Sequence, residues 1–215
     1  MGNVVVAGGH GQIALHLHPA LAEAGHAAVA LIRNPDHADD IRAGGAEPVV
    51  CDMESEDDLA PFVAGADAVV FAAGAGPGSG PERKQTVDLG AAIKLIRACE
   101  AAGVRRYLMI SAMGASDPAS GSEEMRPYLM AKAGADEALR DSGLAYTIVR
   151  PGRLTDDPAT GRVTVGERLE RGEVTRADVA GVLVACLGLP ETVDRTFDLV
   201  AGETPIREAL LSLAA

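Results

Sequence analysis

A glycine-rich segment near the start of the chain has the residue types and the spacing to bind phosphate. It reads GGHGQIA over residues 8–14 and lies between an apolar strand pattern and a helical pattern. Glycines permit a tight turn close to a ligand, and a following helix N-terminus adds a positive dipole end. The alternative is a packing turn that binds nothing. The pattern predicts that a dinucleotide's pyrophosphate is held at Gly8, His10, Gly11, Gln12 and Ile13.

The end of the second predicted strand indicates which dinucleotide is bound. NAD sites usually place Asp or Glu there to accept a hydrogen bond from the ribose hydroxyl. This chain has Arg33 in that place. A guanidinium can pair with the 2′-phosphate of NADP and stack on adenine, so we expect NADP(H) to be preferred over NAD(H). The alternative is a solvated Arg33, with Asp36 binding the ribose instead.

Two further strand ends are candidates for the same site. Asp52 and Met53 follow the third predicted strand, where we expect them to contact the adenine edge. Ala72, Ala73 and Gly74 end the fourth strand, where small residues let a cofactor pass close to the backbone. Ordinary turn chemistry is the alternative for both segments.

Alternating strands and helices are predicted to position these residues. Near-continuous apolar strands separated by helices are typical of a parallel sheet covered on both faces. We therefore predict an α/β fold with a Rossmann-type doubly wound sheet, forming one domain over residues 1–215. Residues 1–150 would be its cofactor-binding core, and residues 151–215 a small substrate-side elaboration. The Gly/Pro/Ser-rich loops 74–81 and 112–124 follow strand ends, where ligands bind in such folds.

The predicted elements follow from the hydrophobic periodicity and the turn residues. The strands are 3–7, 27–32, 48–51, 67–71, 106–110, 146–149 and 196–200. The helices are 11–24, 56–63, 83–102, 126–142, 176–187 and 205–213. Thr175 is predicted to cap the N-terminus of the fifth helix.

Composition narrows the expected partners. Asp and Glu outnumber Lys and Arg by 31 to 19, and the resulting charge of −12 disfavours binding to nucleic acid or anionic lipid. The three cysteines have no metal-binding spacing, so we expect reduced, buried thiols and no metal site. No apolar run approaches the roughly 18 residues that span a bilayer. We expect a cytoplasmic monomer or homodimer that acts on a small molecule.

Together these motifs resemble the short-chain dehydrogenase/reductase superfamily, specifically its atypical, short NAD(P)H-binding branch with epimerase/dehydratase-like members. The resemblance covers most of the chain, and the run from residue 128 to residue 152 is especially similar to that branch. Besides the turn, Arg33, Asp52 and residues 72–74, it rests on Ser111, the Tyr128-x-x-x-Lys132 pair and Arg150-Pro151-Gly152.

The resemblance implies a division of labour among three side chains. Tyr128 would be the general acid/base, donating a proton to a carbonyl oxygen as hydride arrives from the nicotinamide. Lys132 would hold the nicotinamide ribose and lower the pKa of Tyr128, and Ser111 would hydrogen-bond the substrate oxygen. Residues four apart share a helix face, and a phenol of pKa about 10 needs a nearby cation to act at neutral pH. The alternative is a surface pair without chemistry.

Two positions bear on whether that chemistry occurs. Asp88 stands where the superfamily has a tetrad Asn, and it would either orient the site or only cap and solvate its helix. Pro151 lies in a segment that passes the nicotinamide in relatives, although Pro and Gly also end strands. We expect an NADP(H)-dependent oxidoreductase acting on a small carbonyl-like substrate. The alternatives are an epimerase or dehydratase, a flavin or tetrapyrrole reductase, and a non-catalytic NADP(H) sensor.

Overall fold

A nine-stranded sheet forms the centre of the protein, in a computed structural model that describes residues 2–74, 76 and 80–214. The strands are β1 (Asn3–Ala7), β2 (Ala27–Ile32), β3 (Ala46–Val50), β4 (Ala68–Phe71), β5 (Arg106–Ile110), β6 (Ala145–Pro151), β7 (Arg153–Thr155), β8 (Arg162–Gly166), β9 (Glu173–Thr175), β10 (Arg195–Ala201) and β11 (Thr204–Pro205). Six parallel strands run in the order β3-β2-β1-β4-β5-β6. β10 joins parallel to β6, followed by antiparallel β8 and β11, and β7 pairs with β9 separately.

Alternate strand residues face two separate hydrophobic cores. In β1, Val4 and Val6 belong to one core, and Val5 and Ala7 belong to the other. Because side chains alternate across a strand, a sheet covered on both faces needs apolar residues at every position. The strand order reverses between β1 and β4, which is the doubly wound Rossmann arrangement. The predicted fold class is confirmed.

Helices cover both faces of this sheet. They are α1 (Gln12–Glu23), α2 (Ala38–Ala43), α3 (Ala60–Val63), α4 (Pro81–Arg83), α5 (Ala92–Ala102), α6 (Arg126–Arg140), α7 (Arg176–Leu187) and α8 (Ile206–Leu211), with a π-helical segment (Lys84–Ala91) between α4 and α5. Leu17 of α1 and Leu183 of α7 lie in one core, whereas Leu95 of α5 and Leu139 of α6 lie in the other. None of the helices in the described part of the chain has both the length and the apolar character needed to cross a membrane.

The core elements match their predicted positions, but two predicted helices differ. The predicted helix 56–63 begins only at Ala60, after a local turn in which the Asp58 carboxylate accepts the Ala60 N–H at 2.9 Å. The predicted helix 83–102 contains the π-helical segment, a distortion that the hydrophobic pattern did not reveal. The predicted cap at Thr175 is confirmed, since its hydroxyl accepts the Asp178 N–H at 2.9 Å.

The region after β6 contains more strands than predicted. β7, β9 and β11 have only two or three residues each, too few for an alternating pattern, whereas β8 alternates polar and apolar residues over five positions and was missed despite that signal. Helix α2 was also missed. Loop 112–124 contains short 3₁₀ turns at Met113–Ser116 and Pro118–Ser120. Of loop 74–81, residues 75 and 77–79 lie outside the described residues.

All three cysteines are buried free thiols. Burial raises the pKa of Cys51 to about 11, with smaller contributions from Glu56 and Asp52. Burial also raises the pKa of Cys99, in α5, and of Cys186, in α7, to about 12. Such thiols stay protonated at neutral pH and are therefore poor nucleophiles.

Candidate cofactor-binding and active site

The glycine-rich turn between β1 and α1 packs against two neighbouring strands. Gly8 has a φ of +80°, and a Cβ there would lie 2.6 Å from the Cα of Ala73. A Cβ on Gly9 would lie 2.6 Å from the Cβ of Ala30 in β2. Only glycine permits this approach at both positions. The turn is closed by the Gly11 N–H, which donates to the Gly8 carbonyl at 2.9 Å.

The turn leads directly into the N-terminus of α1. Gly11 is the N-cap residue and supplies no side-chain cap, so the start of the helix suits an anionic group. Beneath the turn, Nε2 of the buried His18 donates to the Gly9 carbonyl at 2.7 Å. His18 Nδ1 has no hydrogen-bond partner among the described residues. Burial lowers the pKa of His18, so a neutral imidazole supports the turn.

An open cleft extends from this turn across the carboxyl ends of β1 to β4. It encloses about 800 Å³ of space, including its open mouth. Of the predicted cofactor residues, Ile13 is buried in a core, Gln12 is exposed on α1, and neither Lys132 nor Pro151 lines this cleft. The predicted residues that do line it are Gly8, His10, Gly11, Arg33, Asp52, Met53, Ala72, Ala73 and Gly74.

Other lining residues were not identified from the sequence. The His10 side chain contacts Asp40, with Nε2 2.9 Å from Oδ2, and its ring stacks on His37 at a centroid distance of 3.6 Å. Asp36, the alternative ribose ligand, does not line the cleft, whereas Arg33 does. The additional lining residues include Asn34, His37, Cys51, Glu54, Arg83 and Val87.

One end of the cleft, here termed the Arg33 end, consists of Arg33, Glu54, Arg83 and Thr86. Glu54 Oε2 lies 3.4 Å from Arg33 Nη1 and 3.4 Å from Arg83 Nη2. The Thr86 hydroxyl donates to Glu54 Oε1 at 2.7 Å. The side chains of Arg33, Arg83 and Glu54 are 55%, 41% and 29% exposed, so solvent weakens these ion pairs.

Beyond Ala73, outside the cleft lining, lies a group of buried polar and charged side chains, here termed the Lys132 end. It consists of Asp88, Ser111, Lys132, Asp136 and Arg150. Lys132 Nζ lies 3.2 Å from Asp88 Oδ1, and their side chains are only 4% and 0% exposed. The ammonium also donates to the carbonyls of Ile110 at 3.1 Å and Ala73 at 3.5 Å. Lys132 is therefore fixed next to the cleft, with its charge compensated by Asp88.

Tyr128 lies one helical turn before Lys132 on α6. Lys132 Nζ is 5.9 Å from the centroid of the Tyr128 ring. Burial raises the pKa of Tyr128; Lys132 opposes this, and the carboxylates of Asp88 and Asp136 add to it. The predicted influence of Lys132 is therefore present but outweighed. Tyr128 stays a protonated phenol at neutral pH, which suits a proton donor better than a base.

Asp136, one further turn along α6, forms the second buried ion pair. Its Oδ2 accepts from Arg150 Nη2 at 2.8 Å and from Arg150 Nε at 2.9 Å. Burial raises the pKa of Asp136 despite opposing effects from Arg150 and the Ser111 hydroxyl. Ser111 Oγ and Asp136 Oδ1 both lack a hydrogen bond of normal geometry to a described residue, although the two side chains are neighbours. Ser111 is thus buried beside the ion pairs.

Of the site residues that were not predicted from the sequence, some follow a local sequence pattern and others do not. Asp136 lies four residues after Lys132 and eight after Tyr128, so helical spacing alone places it on their face. Glu54 and Arg83 lie on different loops, and no local pattern connects either of them with Arg33. No cluster of three or more His, Cys, Asp or Glu side chains suited to a metal ion occurs within residues 2–74, 76 and 80–214.

Comparison with known proteins identifies similar chains over nearly the full length. Residues 8–190 match the sequence model of a family described as NAD(P)H-binding. The chain is 40% identical to an uncharacterized sugar epimerase, YhfK, of Bacillus subtilis, covering 98% of this chain and 99% of that protein. A Bacillus halodurans structure provisionally described as an NAD-dependent epimerase/dehydratase is 39% identical, with a TM-score of 0.95 and coverage of 99% and 100%. The Lactococcus lactis oxidoreductase ylbE is 27% identical, with a TM-score of 0.87 and coverage of 98% and 96%.

Proposed function

Because the chain belongs to the NAD(P)H-binding family of atypical short-chain dehydrogenases/reductases, we propose that it is an NADPH-dependent reductase of a small carbonyl-like substrate. The observation that carries the proposal is the position of Arg33 in the cleft, combined with a fixed Lys132 and a protonated Tyr128 beyond it. The glycine turn and the start of α1 suit the pyrophosphate between these two ends.

The preference for NADPH follows from the side chains at the end of β2. Arg33 lines the cleft, and the alternative ligand Asp36 does not. A guanidinium gains charge-assisted hydrogen bonds from a 2′-phosphate that a 2′-hydroxyl cannot provide. Small side chains at Ala72, Ala73 and Gly74 leave the cleft open along the end of β4.

The proposed reaction uses Tyr128 as an acid. When bound, the nicotinamide supplies a hydride to the carbonyl carbon of the substrate. Tyr128 donates its phenolic proton to the carbonyl oxygen, and the substrate is reduced to an alcohol. Ser111 would hydrogen-bond the same oxygen, and Lys132 would hold the ribose. Tyr128 is protonated at neutral pH, which is the form that reduction uses, whereas oxidation would require the phenolate.

Calorimetric titration with NADPH and NADH tests the cofactor assignment. We expect the wild-type protein to bind NADPH more tightly, and Arg33→Ala to weaken NADPH binding by about tenfold or more without changing NADH binding. Arg97→Ala, at an exposed position of α5 outside the cleft, is the matched control. Equal affinity of the wild type for both nucleotides would contradict the proposed preference.

Turnover is tested separately with Tyr128→Phe. Oxidation of NADPH is followed with aldehydes, ketones and quinones as substrates. We expect Tyr128→Phe to lower kcat by about a hundredfold or more while calorimetry shows unchanged NADPH affinity, because general acid catalysis contributes on this scale. A substrate that the variant reduces at the wild-type rate would contradict the role of Tyr128.

A non-catalytic NADP(H) sensor is the second candidate, and one observation favours it. Burial raises the pKa of Tyr128, and Asp88, which compensates the charge of Lys132, adds to this rise; the resemblance to the superfamily implies a lowered pKa instead. A sensor would bind NADPH as described above but oxidise it with none of the carbonyl compounds. Its complex with NADPH would then differ from its complex with NADP⁺ in stability or protease sensitivity.

A further inference from the structure

A carboxylate oxygen occupies the point where two arginines from different segments of the cleft lining meet. Arg33 follows β2, and Arg83 ends α4, fifty residues later in the chain. Both guanidinium groups approach the same atom, Glu54 Oε2, at 3.4 Å. This oxygen marks the position at which a single anionic group contacts both arginines.

Glu54 is anchored at several of its other atoms. Its Oε1 accepts from the Thr86 hydroxyl at 2.7 Å, and its N–H donates to Asp52 Oδ1 at 3.1 Å. Its carbonyl oxygen accepts from Lys94 Nζ at 3.1 Å, and Lys94 also donates to the Glu56 carbonyl at 2.7 Å. Lys94 is therefore engaged by the backbone, and Arg33 and Arg83 are the cations that contact the Glu54 carboxylate.

The contacts between the carboxylate and the arginines are exchangeable. They are longer than the usual charge-assisted hydrogen bond, and all three side chains are partly exposed. A phosphate monoester carries a charge of about −1.5 to −2 and three acceptor oxygens, compared with a single charge on Glu54. Such a group therefore competes effectively for the same two guanidinium groups.

We infer that Arg33 and Arg83 together clamp the 2′-phosphate of NADPH, and that the Glu54 carboxylate competes with this phosphate for them. The inference rests on the proposed NADPH binding and adds to it the residues that set the discrimination. Glu54 limits the preference for NADPH, because its charge must be displaced or tolerated when the phosphate binds. A 2′-hydroxyl forms no ion pair with Arg83 and can instead donate a hydrogen bond to Glu54.

The clamp is tested by calorimetry with 2′,5′-ADP, NADPH and NADH. We expect Arg83→Gln to weaken NADPH and 2′,5′-ADP by about tenfold and to leave NADH within about twofold. Glu54→Gln keeps an acceptor for Thr86 but removes the charge, so it should tighten NADPH about threefold without tightening NADH. Arg97→Gln, exposed on α5, is the matched control. Circular dichroism checks that each variant is folded, and Arg83→Lys replaces Arg83→Gln if the latter is not.

Failure of the clamp can be distinguished from failure of the proposed function. Should the wild type bind NADPH no better than NADH, the proposed cofactor preference itself is wrong. If the wild type prefers NADPH and Arg33→Ala removes that preference, the proposed cofactor binding is supported. If Arg83→Gln then binds NADPH as tightly as Arg97→Gln does, the clamp is wrong. Weaker NADPH binding by Glu54→Gln would show that Glu54 orients the arginines instead of competing for them.

Discussion

The Arg33 end of the cleft and the Lys132 end, which lies beyond Ala73, both hold paired charges but differ in their exposure to solvent. At the Arg33 end, half-exposed arginines share one carboxylate at 3.4 Å. At the Lys132 end, Asp88 and Asp136 are fully buried, and their cations lie within 3.2 Å and 2.8 Å. Water screens the first group strongly and the second hardly at all.

This difference in exposure predicts which substitutions change ligand binding and which change the stability of the fold. Exposed ion pairs contribute little to stability, so their partners can be exchanged for a ligand at small cost. A buried ion pair cannot lose one partner without leaving an uncompensated charge in a low dielectric. We therefore expect substitutions at the Arg33 end to change ligand affinity, and substitutions at the Lys132 end to change the free energy of unfolding.

The largest expected effect is on stability, from Asp136→Ala. This substitution leaves the buried Arg150 guanidinium without its carboxylate, so we expect a loss of about 3–5 kcal/mol in the free energy of unfolding. Urea denaturation followed by circular dichroism measures it. Removing both charges, in Asp136→Leu/Arg150→Met, should restore most of that stability, because apolar replacements for buried ion pairs are often nearly neutral.

The control for this prediction is an exposed ion pair. Asp39 is 97% exposed and lies 3.0 Å from Arg42, so Asp39→Ala should cost less than about 0.5 kcal/mol. A similar loss of stability in Asp39→Ala and Asp136→Ala would remove the distinction between the buried and exposed pairs.

A smaller, pH-dependent effect is expected at His18, beneath the glycine-rich turn. Its pKa in the folded protein lies below the ordinary value of 6.5, so the unfolded chain binds the extra proton more readily. Stability from the neutral ring is complete above pH 6.5 and is lost as pH falls toward the folded-state pKa. The wild type should therefore lose more thermal stability between pH 7.5 and pH 5 than His18→Gln, which keeps a donor for Gly9.

His16→Gln provides the matched comparison, because His16 is exposed on the same helix. The melting temperature of the His16→Gln variant should follow that of the wild type across the whole pH range. Parallel curves for the wild type and His18→Gln would mean that the buried imidazole does not couple the turn to pH.

The smallest expected effect is on the stability of the cofactor-free protein, from Arg33→Ala. Because the Arg33 guanidinium is 55% exposed, the free energy of unfolding should change by less than about 0.5 kcal/mol. With NADPH at a hundred times its dissociation constant, the wild type should gain about 2.7 kcal/mol, and Arg33→Ala should gain less at the same concentration. A large loss of stability in Arg33→Ala without NADPH would show that Arg33 has a structural role.

The sequence was sufficient for the seven parallel strands of the sheet and for the turn, because local patterns encode both. Val4 to Ala7 are apolar at consecutive positions, as a strand covered on both faces requires. Gly8 and Gly9 stand where no side chain fits, and Arg33 ends the neighbouring strand. Each of these signals lies within a few residues of the element that it predicts.

The ion-pair partners in and beside the cleft could not be predicted in the same way, because tertiary contacts bring them together. Glu54 and Arg83 meet across the cleft from segments 29 residues apart, and Asp136 meets Arg150 across α6 and β6. The raised pKa of Tyr128 depends on burial and on Asp88, so the Tyr/Lys spacing alone gave the wrong balance of effects. The spacing of Tyr128, Lys132 and Asp136 was the one local signal that could have revealed the second ion pair.

The three buried thiols also provide a way to follow the motions of this protein. A protonated, inaccessible thiol reacts with an alkylating reagent only while the surrounding structure is open, so its labelling rate measures how often that region opens. Cys51, which also lines the cleft, lies in the same core as Cys99, whereas Cys186 lies in the core on the other face of the sheet. Mass spectrometry of the labelled peptides would therefore compare the opening of the two faces, and of the cleft side with the rest of its core, without any added probe.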